Sequence, residues 1–220
     1  MSVNDESINT GRLDLVLLRA ETLRALLVDD REGASREQGI PLPAEFSDSL
    51  HGQFLTIQLQ RAEAFPESRG WGVRVIVRRA DGHVIGHAGL HGPPESVGRA
   101  EIGYSVFAAF RGQGYATETA RALADWARVQ GERTLFASVS PTNRPSLAVV
   151  HKLGFRQTGV QVDQVDGPEL VFELILDADG VSRQAERTGD SNHSGRADDG
   201  SPREDGVHGG RAGHEQPPTT

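Results

Sequence analysis

The segment RGQGYATETA, residues 111–120, has the composition of a loop that binds phosphate. Gly112 and Gly114 let the backbone approach a ligand closely because neither carries a Cβ atom. Arg111 adds a permanent positive charge. The residues that follow favour a helix, whose N-terminus offers unpaired N–H groups and a partial positive charge to an anion. The segment therefore predicts a phosphate-binding loop, and the alternative is a tight strand-to-helix turn without a ligand.

Two common nucleotide signatures do not fit this loop. No Gly-Lys-Ser/Thr follows, as a P-loop would require. The dinucleotide pattern G-x-G-x-x-G fails at its third glycine, where Thr117 stands. The acidic residue expected after the next strand is also missing from SVSPTN, residues 138–143. A dinucleotide is therefore not the predicted ligand.

The bulk composition indicates a soluble cytoplasmic protein. The chain has 220 residues, a formal net charge of −8 and no cysteine. The acidic balance argues against nucleic acid as a partner, and the lack of cysteine excludes disulfides and thiolate catalysis. The N-terminal residues lack a signal-peptide pattern, and no apolar run approaches the roughly 20 residues that span a bilayer. We expect no membrane association and either a monomer or a homodimer.

Residues 177–220 differ from the rest of the chain. They contain nine Asp or Glu, five Arg and many Gly, but no Leu, Ile, Phe, Trp or Tyr. Such a segment cannot bury enough apolar surface to offset the entropy lost on ordering. We predict a disordered acidic tail there, with His193, His208 and His214 solvated. Residues 1–10 are predicted to be a flexible N-terminus, which leaves 11–176 as the folded domain.

The folded part alternates between strands and helices. Strands are predicted at 12–18, in a hairpin at 71–92, and at 99–110, 134–140 and 170–176, with one further strand of undefined bounds before the last; helices are predicted at 20–30, 45–65, 117–130 and 145–154, and a long polar loop at 31–43. The strand before the glycine loop, its helix and the next strand make a βαβ unit, which pairs its strands in parallel. The predicted fold class is α/β, with a single mixed, mostly antiparallel sheet, a central parallel βαβ unit and helices on both faces.

Two segments carry a resemblance to a known family. AEIGYSVFAAFRGQGYATETARALADWA (100–127) resembles the central motif of the GNAT superfamily, the acetyl-CoA-dependent N-acyltransferases. Its pattern Arg/Gln-x-x-Gly-x-Gly/Ala is met by Arg111, Gly114 and Ala116. NRPSLAVVHKLGF (143–155) resembles the family's second signature. Within the superfamily, the residues AEIGY, GYATE and HKLGF are most similar to those of the ribosomal-protein N-terminal alanine acetyltransferases. The predicted order of strands and helices also fits a GNAT-like fold.

The resemblance implies an acetyltransferase that moves an acetyl group from acetyl-CoA to a primary amine by direct attack in a ternary complex. It implies coenzyme contacts from Val106, Phe107, Ala108, Arg111, Gly112, Gln113, Gly114, Tyr115, Ala116, Thr117, Asn143 and Ser146. The N–H groups of 112–117 would hold the pyrophosphate, 106–108 would pair with the pantetheine arm, and the N–H of Val106 would polarise the thioester carbonyl. Core packing of Val106 and Phe107, and helix capping by Asn143, are the alternatives.

Acetyl transfer to an amine also needs a base, because an amine with a pKa near 10 is mostly protonated at neutral pH. Glu101, in the predicted central strand, is the candidate base; a solvent-facing position or an ion pair with Arg99 or Arg111 is the alternative. The tyrosine that protonates the thiolate in this superfamily is replaced by Val150. Ser146 could serve instead, or the thiolate could leave unaided, since an ordinary thiol pKa is near 8.5.

His83, His87 and His91 are spaced by four residues, which on a helix would suggest a metal site. The glycines between them predict a strand, on which all three would share one face and lie too far apart for one ion. We therefore expect no metal. His87 and His91 are weaker candidates for the acceptor pocket, which the loop 31–50 and the strand around His87 are expected to shape.

Two questions stay open at the level of sequence. The acceptor could be a protein N-terminus, an aminoglycoside, an amino acid or a polyamine. Because the family tyrosine is replaced, a second interpretation remains: the domain binds acyl-CoA as a sensor and does not catalyse transfer.

Overall fold

The computed structural model describes residues 7–50, 52–91, 100–163 and 167–176. The predicted disordered tail 177–220, with its three histidines, and Arg99 lie outside these residues.

Eight strands and six α-helices are found in the described part. The strands are β1 (Ile8–Asn9), β2 (Leu13–Leu17), β3 (Val73–Arg78), β4 (His83–His91), β5 (Ala100–Val106), β6 (Thr134–Val139), β7 (Arg156–Asp163) and β8 (Gly167–Ile175); the helices are α1 (Ala20–Leu27), α2 (Arg31–Gln38), α3 (Ala44–Asp48), α4 (Gly52–Ala64), α5 (Tyr115–Val129) and α6 (Arg144–Lys152). None of the helices in the described ranges combines the length and apolarity needed to cross a membrane.

All eight strands form one sheet in the order β1-β2-β3-β4-β5-β6-β8-β7. Neighbouring strands are antiparallel except β5 and β6, which are parallel and are joined by α5. This confirms the predicted fold class. The parallel pairing is short, because only Ala100–Leu135 and Glu101–Phe136 are in register. Beyond these pairs β5 stays with β4 and β6 stays with β8, so a gap opens between β5 and β6.

Helices cover both faces of the sheet, as predicted. On one face α5 and α6 bury Leu123 and Val150 against strand residues such as Ile76. On the other face α1 to α4 bury residues such as Phe46 against Val75. Because successive side chains of a strand point to opposite faces, the neighbours Val75 and Ile76 contribute to different clusters. The sheet therefore lies between two apolar layers.

The prediction of a loop at 31–43 was wrong, because α2 occupies most of it. The Asp30 side chain caps α2 by accepting a hydrogen bond from the N–H of Gly33 (2.8 Å), and Gly39 ends it in the left-handed region. The sequence shows no apolar periodicity for this helix, because the face that it buries consists of Gly33, Ala34 and Gln38. Gln38 is buried with its amide N donating to the carbonyl of Leu17 (3.0 Å).

Several other boundaries differ from the prediction: the strand predicted at 99–110 ends at Val106, and Ala108–Phe110 forms a turn of 3-10 helix. The helix predicted at 45–65 is divided into α3 and α4, and Ile57, placed on its apolar stripe, is 40% exposed. Ile8–Asn9 pairs with β2, so the sheet begins inside the range predicted as flexible. The strand left without bounds is β7, and β8 begins at Gly167 rather than at 170.

Candidate functional site

A cleft of about 380 Å³ lies where β5 and β6 separate. Its lining comes from β5, β6, the start of α6 and β8, and consists of Ile102, Gly103, Tyr104, Ala137, Ser138, Val139, Ser140, Asn143, Ser146 and Glu169. The two predicted site residues among these are Asn143 and Ser146. The gap in the sheet thus gathers polar side chains from four elements.

Val106, at the end of β5, has its backbone directed into this gap. The N–H of Phe107 donates to the carbonyl of Ile85 on β4 (2.9 Å). Backbone groups alternate sides along a strand, so the N–H of Val106 is turned toward β6, with which β5 is no longer in register. The side chains of Val106 and Phe107 pack in the two opposite apolar clusters. Core packing of the side chain and a backbone N–H that faces the gap therefore coexist at Val106.

The glycine loop has the predicted strand-to-helix geometry. Gly112 (φ +76°) and Gly114 (φ +80°) adopt the left-handed region that disfavours other residues, and Gly114 is the N-cap of α5. Residues 111–114 are exposed. The first helical hydrogen bond of α5 runs from the N–H of Glu118 to the carbonyl of Gly114 (3.1 Å). The N–H groups of residues 115–117 precede it, so they have no partner within the helix and are available to an anion.

Arg111 is anchored to the strand that precedes the loop. Its Nε donates to the carbonyl of Val106 (2.9 Å). No ion pair between Arg111 and Glu101 occurs among the described contacts, where the partner of Glu101 is His91. The Arg111 side chain is therefore tied to Val106, the residue whose backbone faces the gap.

Arg12 is a second cation at the loop, and the sequence analysis missed it. Its guanidinium lies 4.5 Å above the ring of Tyr115, donates to the carbonyl of Gln113 (3.0 Å) and pairs with Glu118 (2.6 Å). Glu118 also accepts from the hydroxyl of Thr10 (2.6 Å). No local pattern could have shown this, since Arg12 and Glu118 are 106 residues apart. Through these contacts, Arg12 connects the residue before β2 to the glycine loop and to the first turn of α5.

Glu101 points to the face covered by α1–α4. Its Oε2 lies 3.5 Å from Nδ1 of His91, its cross-strand neighbour on β4, and its side chain is 25% exposed. Burial acts most strongly and raises the pKa of Glu101, but hydrogen bonds with His91 and Ser138 together outweigh it and leave the pKa below its ordinary value. The carboxylate is consequently ionised at neutral pH.

A chain of polar contacts continues from Glu101 across the sheet. Ser138 on β6 contacts Glu101 and accepts a hydrogen bond from the amide N of Gln161 (2.9 Å). The same amide N donates to Oε2 of Glu169 on β8 (3.0 Å). Glu169 was not singled out in the sequence, because register alone brings it to the cleft. This side of the cleft thus holds two carboxylates.

The three histidines of β4 do not share a face, so that expectation was wrong. A register shift between Ile76 and Val77 interrupts the alternation, so His83 pairs with Arg78 while His87 pairs with Val75. These partners lie on opposite faces. His83 instead contacts Asp81 (2.8 Å). No cluster of three or more possible metal ligands occurs in the part of the chain that the structure describes.

His87 and His91 lie on the same face as Glu101, under two helices. His87 packs edge-on against Phe46 of α3 and His91 against Phe54 of α4, with ring centroids 6.1 and 5.6 Å apart. Burial, and then the proximity of His91, lower the pKa of His87 to about 4, so it is neutral. His91 is the one that contacts Glu101. The structure therefore brings His91, and less directly His87, to the predicted acceptor side.

The opposite face of the gap carries hydroxyl groups. Asn143 caps α6, accepting a hydrogen bond from the N–H of Ser146 (3.2 Å), and both residues line the cleft. Val150 is 1% exposed and belongs to the core. Tyr104 of β5, which the sequence analysis missed, projects toward this face and lines the same cleft. Burial raises the pKa of Tyr104 to about 12, although the nearby Ser146 acts to lower it.

Comparisons with known proteins agree with this geometry. The model of the acetyltransferase (GNAT) domain matches residues 12–156. The uncharacterized N-acetyltransferase YjdG of Bacillus subtilis is 26% identical over 149 residues, which are 67% of this chain and 88% of YjdG. The uncharacterized N-acetyltransferase p20 of Bacillus licheniformis is 33% identical over 90 residues, 40% of this chain. That match spans half the length of p20.

Among solved structures, RimL, a ribosomal L7/L12 alpha-N-protein acetyltransferase in complex with coenzyme A, superposes with a TM-score of 0.55. The identity is 17%, and the match covers 78% of this chain and 99% of RimL, so the likeness is one of fold. The family model covers well over half of the chain and includes the glycine loop and every lining residue of the cleft except Glu169. The chain belongs to the GNAT acetyltransferase family.

Proposed function

We propose that this protein transfers an acetyl group from acetyl-CoA to a primary amine by direct attack in a ternary complex. The observation that carries the proposal is the gap between β5 and β6, which leaves the N–H of Val106 unpaired by β6 directly before the exposed glycine loop. An extended pantetheine arm can occupy such a gap as a short strand. Family membership and the coenzyme A bound to RimL support this assignment.

The loop would hold the coenzyme through its pyrophosphate. The N–H groups of residues 112–117 and the N-terminus of α5 supply donors and a partial positive charge. Arg111 and Arg12 add two cations, and Thr117 offers a hydroxyl. Asn143 lines the cleft through which the pantetheine arm would run, while its side chain also caps α6. Both roles are compatible, since an amide has more than one hydrogen-bonding atom.

The chemistry would proceed across the sheet. The amine nitrogen attacks the thioester carbon, and the N–H of Val106 stabilises the charge that develops on oxygen, a contribution on the order of 3 kcal/mol in comparable sites. The Glu101 carboxylate, ionised and held by His91, takes the proton from the amine directly or through water. The carbon–sulfur bond then breaks, and its electron pair leaves with the sulfur.

The acceptor would approach from the face that carries Glu101. Glu101 and Glu169 make that side negative, which favours an amine that arrives as a cation. His91 and Phe54 form one wall of the approach, and His87 lies deeper. A protein N-terminus and small-molecule amines such as aminoglycosides, amino acids and polyamines remain the candidate acceptors.

A non-catalytic acyl-CoA sensor is the second candidate function. The observation that favours it is Val150, which is buried in the core and offers no hydroxyl at the position of the family tyrosine. A sensor would bind acetyl-CoA at the same loop and release no thiol with any amine.

Calorimetry with acetyl-CoA and, separately, with a nicotinamide dinucleotide tests the coenzyme assignment. We expect binding of acetyl-CoA alone, and its loss in the double variant Arg111→Ala, Gly114→Glu. Arg36 and Gly39 provide a matched control, because they have the same spacing, Gly39 is also left-handed (φ +73°), and they lie at the end of α2. The double variant Arg36→Ala, Gly39→Glu should still bind. Retained affinity in the loop variant, or binding of the dinucleotide instead, would contradict the assignment.

A further inference from the structure

We infer that the hydroxyl of Tyr104 donates a hydrogen bond to the sulfur of the departing coenzyme and so replaces the hydroxyl that is missing at Val150. This inference rests on the proposed acetyl transfer. It assigns a catalytic contact to a residue of β5 rather than of α6.

Tyr104 occupies the correct side of the gap. It lies three residues after Glu101 on β5, so strand alternation places the two side chains on opposite faces. Glu101 is on the acceptor face with His91, whereas Tyr104 packs against the cluster formed by α5 and α6. Both residues lie on the part of β5 that leads from the last pairing with β6, at Glu101, to Val106. A thioester held there has the attacking amine on one face and the leaving sulfur available to the other.

The Tyr104 hydroxyl is also unsatisfied. Its oxygen is buried and makes no hydrogen bond of good geometry with any described residue. Ser146, across the cleft on α6, is close enough to influence its pKa and lines the same cavity. Buried hydroxyl groups in folded proteins are nearly always hydrogen-bonded, whereas the Tyr104 hydroxyl lines a cleft and has only Ser146 nearby, without a hydrogen bond of good geometry; this leaves room for a partner supplied by the ligand. The thioester sulfur is the acceptor that the proposed reaction brings there.

The role is that of a donor which keeps its proton. When the carbon–sulfur bond breaks, the electron pair passes to sulfur, and the developing thiolate accepts the O–H of Tyr104. Burial holds the tyrosine in its protonated form throughout the ordinary pH range, which suits a hydrogen-bond donor better than a full proton donor. The thiolate then leaves and takes up a proton from water, as an ordinary thiol pKa near 8.5 permits.

Single-turnover acetyl transfer by the full chain tests this inference with two esters, acetyl-CoA and its selenoester analogue. A hydrogen bond to a charged group is worth about tenfold to a hundredfold in rate, so Tyr104→Phe should slow transfer from acetyl-CoA by that factor. A selenolate is a weaker base than a thiolate and needs less stabilisation. The deficit should therefore shrink to about threefold or less with the selenoester, while the affinity for acetyl-CoA changes by less than about twofold.

Thr119→Val is the matched control, because the Thr119 hydroxyl is also buried without a hydrogen-bonding partner among the described residues but lies on α5, away from the cleft. It should leave the rates with both esters unchanged. An equal loss with both esters in Tyr104→Phe, or no loss, would overturn the inference and leave acetyl transfer standing. Failure of the unaltered protein to transfer acetyl to any amine would overturn the proposed function, and this inference with it.

Discussion

Glu101 combines two properties that a base at this site needs. It is ionised at neutral pH, because the hydrogen bonds from His91 and Ser138 hold its pKa below the ordinary value. It also stays a quarter exposed, so an amine or a bridging water can reach it. A lowered pKa makes the carboxylate a modest base, so in the proposed mechanism its contribution to the rate depends on its position beside the gap.

Replacing Glu101 by Gln should keep its shape and remove its ability to accept a proton. We expect kcat/KM to fall by about 10²–10⁴, the usual contribution of a general base. The deficit should be largest near pH 6 and shrink as pH rises toward the pKa of the amine, near 10, where the amine loses its proton without help. The pH profile of both proteins measures this, with calorimetry to show unchanged affinity for acetyl-CoA. Superimposable profiles would remove Glu101 from the mechanism.

The sequence identified only part of the residues around Glu101. Glu101 and Ser146 followed from a resemblance to the family, and both were found at the cleft or beside it. Tyr104, Glu169 and Arg12 were missed for a common reason. Their positions depend on which strand faces and distant segments come together, and register and pairing across the sheet are not encoded in any short pattern.

At the scale of elements, the glycine loop and the N-terminus of α5 have the strand-to-helix geometry that the predicted anion site requires. A Cβ atom at Gly112 would meet no other atom within 4 Å in the structure, so the loop could accommodate it apart from the strain of the positive φ. A side chain added at Gly112 therefore tests whether the coenzyme binds close to this residue.

Gly112→Ala should weaken acetyl-CoA binding by at least about tenfold, because its Cβ would stand between the loop N–H groups and the pyrophosphate. Gly39→Ala provides the control, since Gly39 has nearly the same φ (+73°) and equally open surroundings. Both variants should lose a similar amount of stability, about 1 kcal/mol. Calorimetry and urea unfolding separate the two effects. Equal affinities in the two variants would show that the coenzyme does not approach Gly112.

The ion pair between Arg12 and Glu118 is expected to contribute to the stability of the folded protein. Burial is the largest effect on the pKa of Glu118 and raises it, but the hydrogen bonds from Thr10 and Arg12 outweigh burial and leave it lowered. A carboxyl group whose pKa is lower in the folded state stabilises the protein above its unfolded pKa, about 4.5, and loses that contribution as pH falls through its folded value.

Glu118→Gln should therefore lower the free energy of unfolding at pH 7 by about 1 kcal/mol, since the pair is partly exposed and screened. The difference from the unaltered protein should shrink at pH 3. Urea unfolding at the two pH values measures it. A difference that is the same at both would mean that the charge of Glu118 is not what stabilises α5.

The elements differ in how far the sequence predicted them. The α5 helix and the strands with apolar alternation were placed well, since their periodicity reflects a buried face. The α2 helix was missed because its buried face carries Gly33, Ala34 and Gln38 instead of large apolar residues. Its stability depends on the Asp30 cap and on the contacts of Gln38 with Leu17 and Thr22, which are tertiary.

At the scale of the whole molecule, the break in the sheet organises the site. β5 and β6 are paired at one end only, so the sheet opens between two otherwise continuous halves. The face that carries Glu101 and the face that carries Tyr104 meet at that opening, and Arg111 of the glycine loop donates a hydrogen bond to the carbonyl of Val106 there. The predicted βαβ unit implied only that β5 and β6 pair in parallel; the short register that opens the gap is visible only in the structure.

The most direct test of acetyl transfer is thiol release from acetyl-CoA with a panel of amines. The panel holds peptides with free N-termini, aminoglycosides, amino acids and polyamines, and mass spectrometry identifies the acetylated product. We predict release that requires both the protein and one class of amine, and that disappears in the Arg111→Ala, Gly114→Glu variant. Tight binding of acetyl-CoA without thiol release from any amine would contradict the account and indicate the sensor.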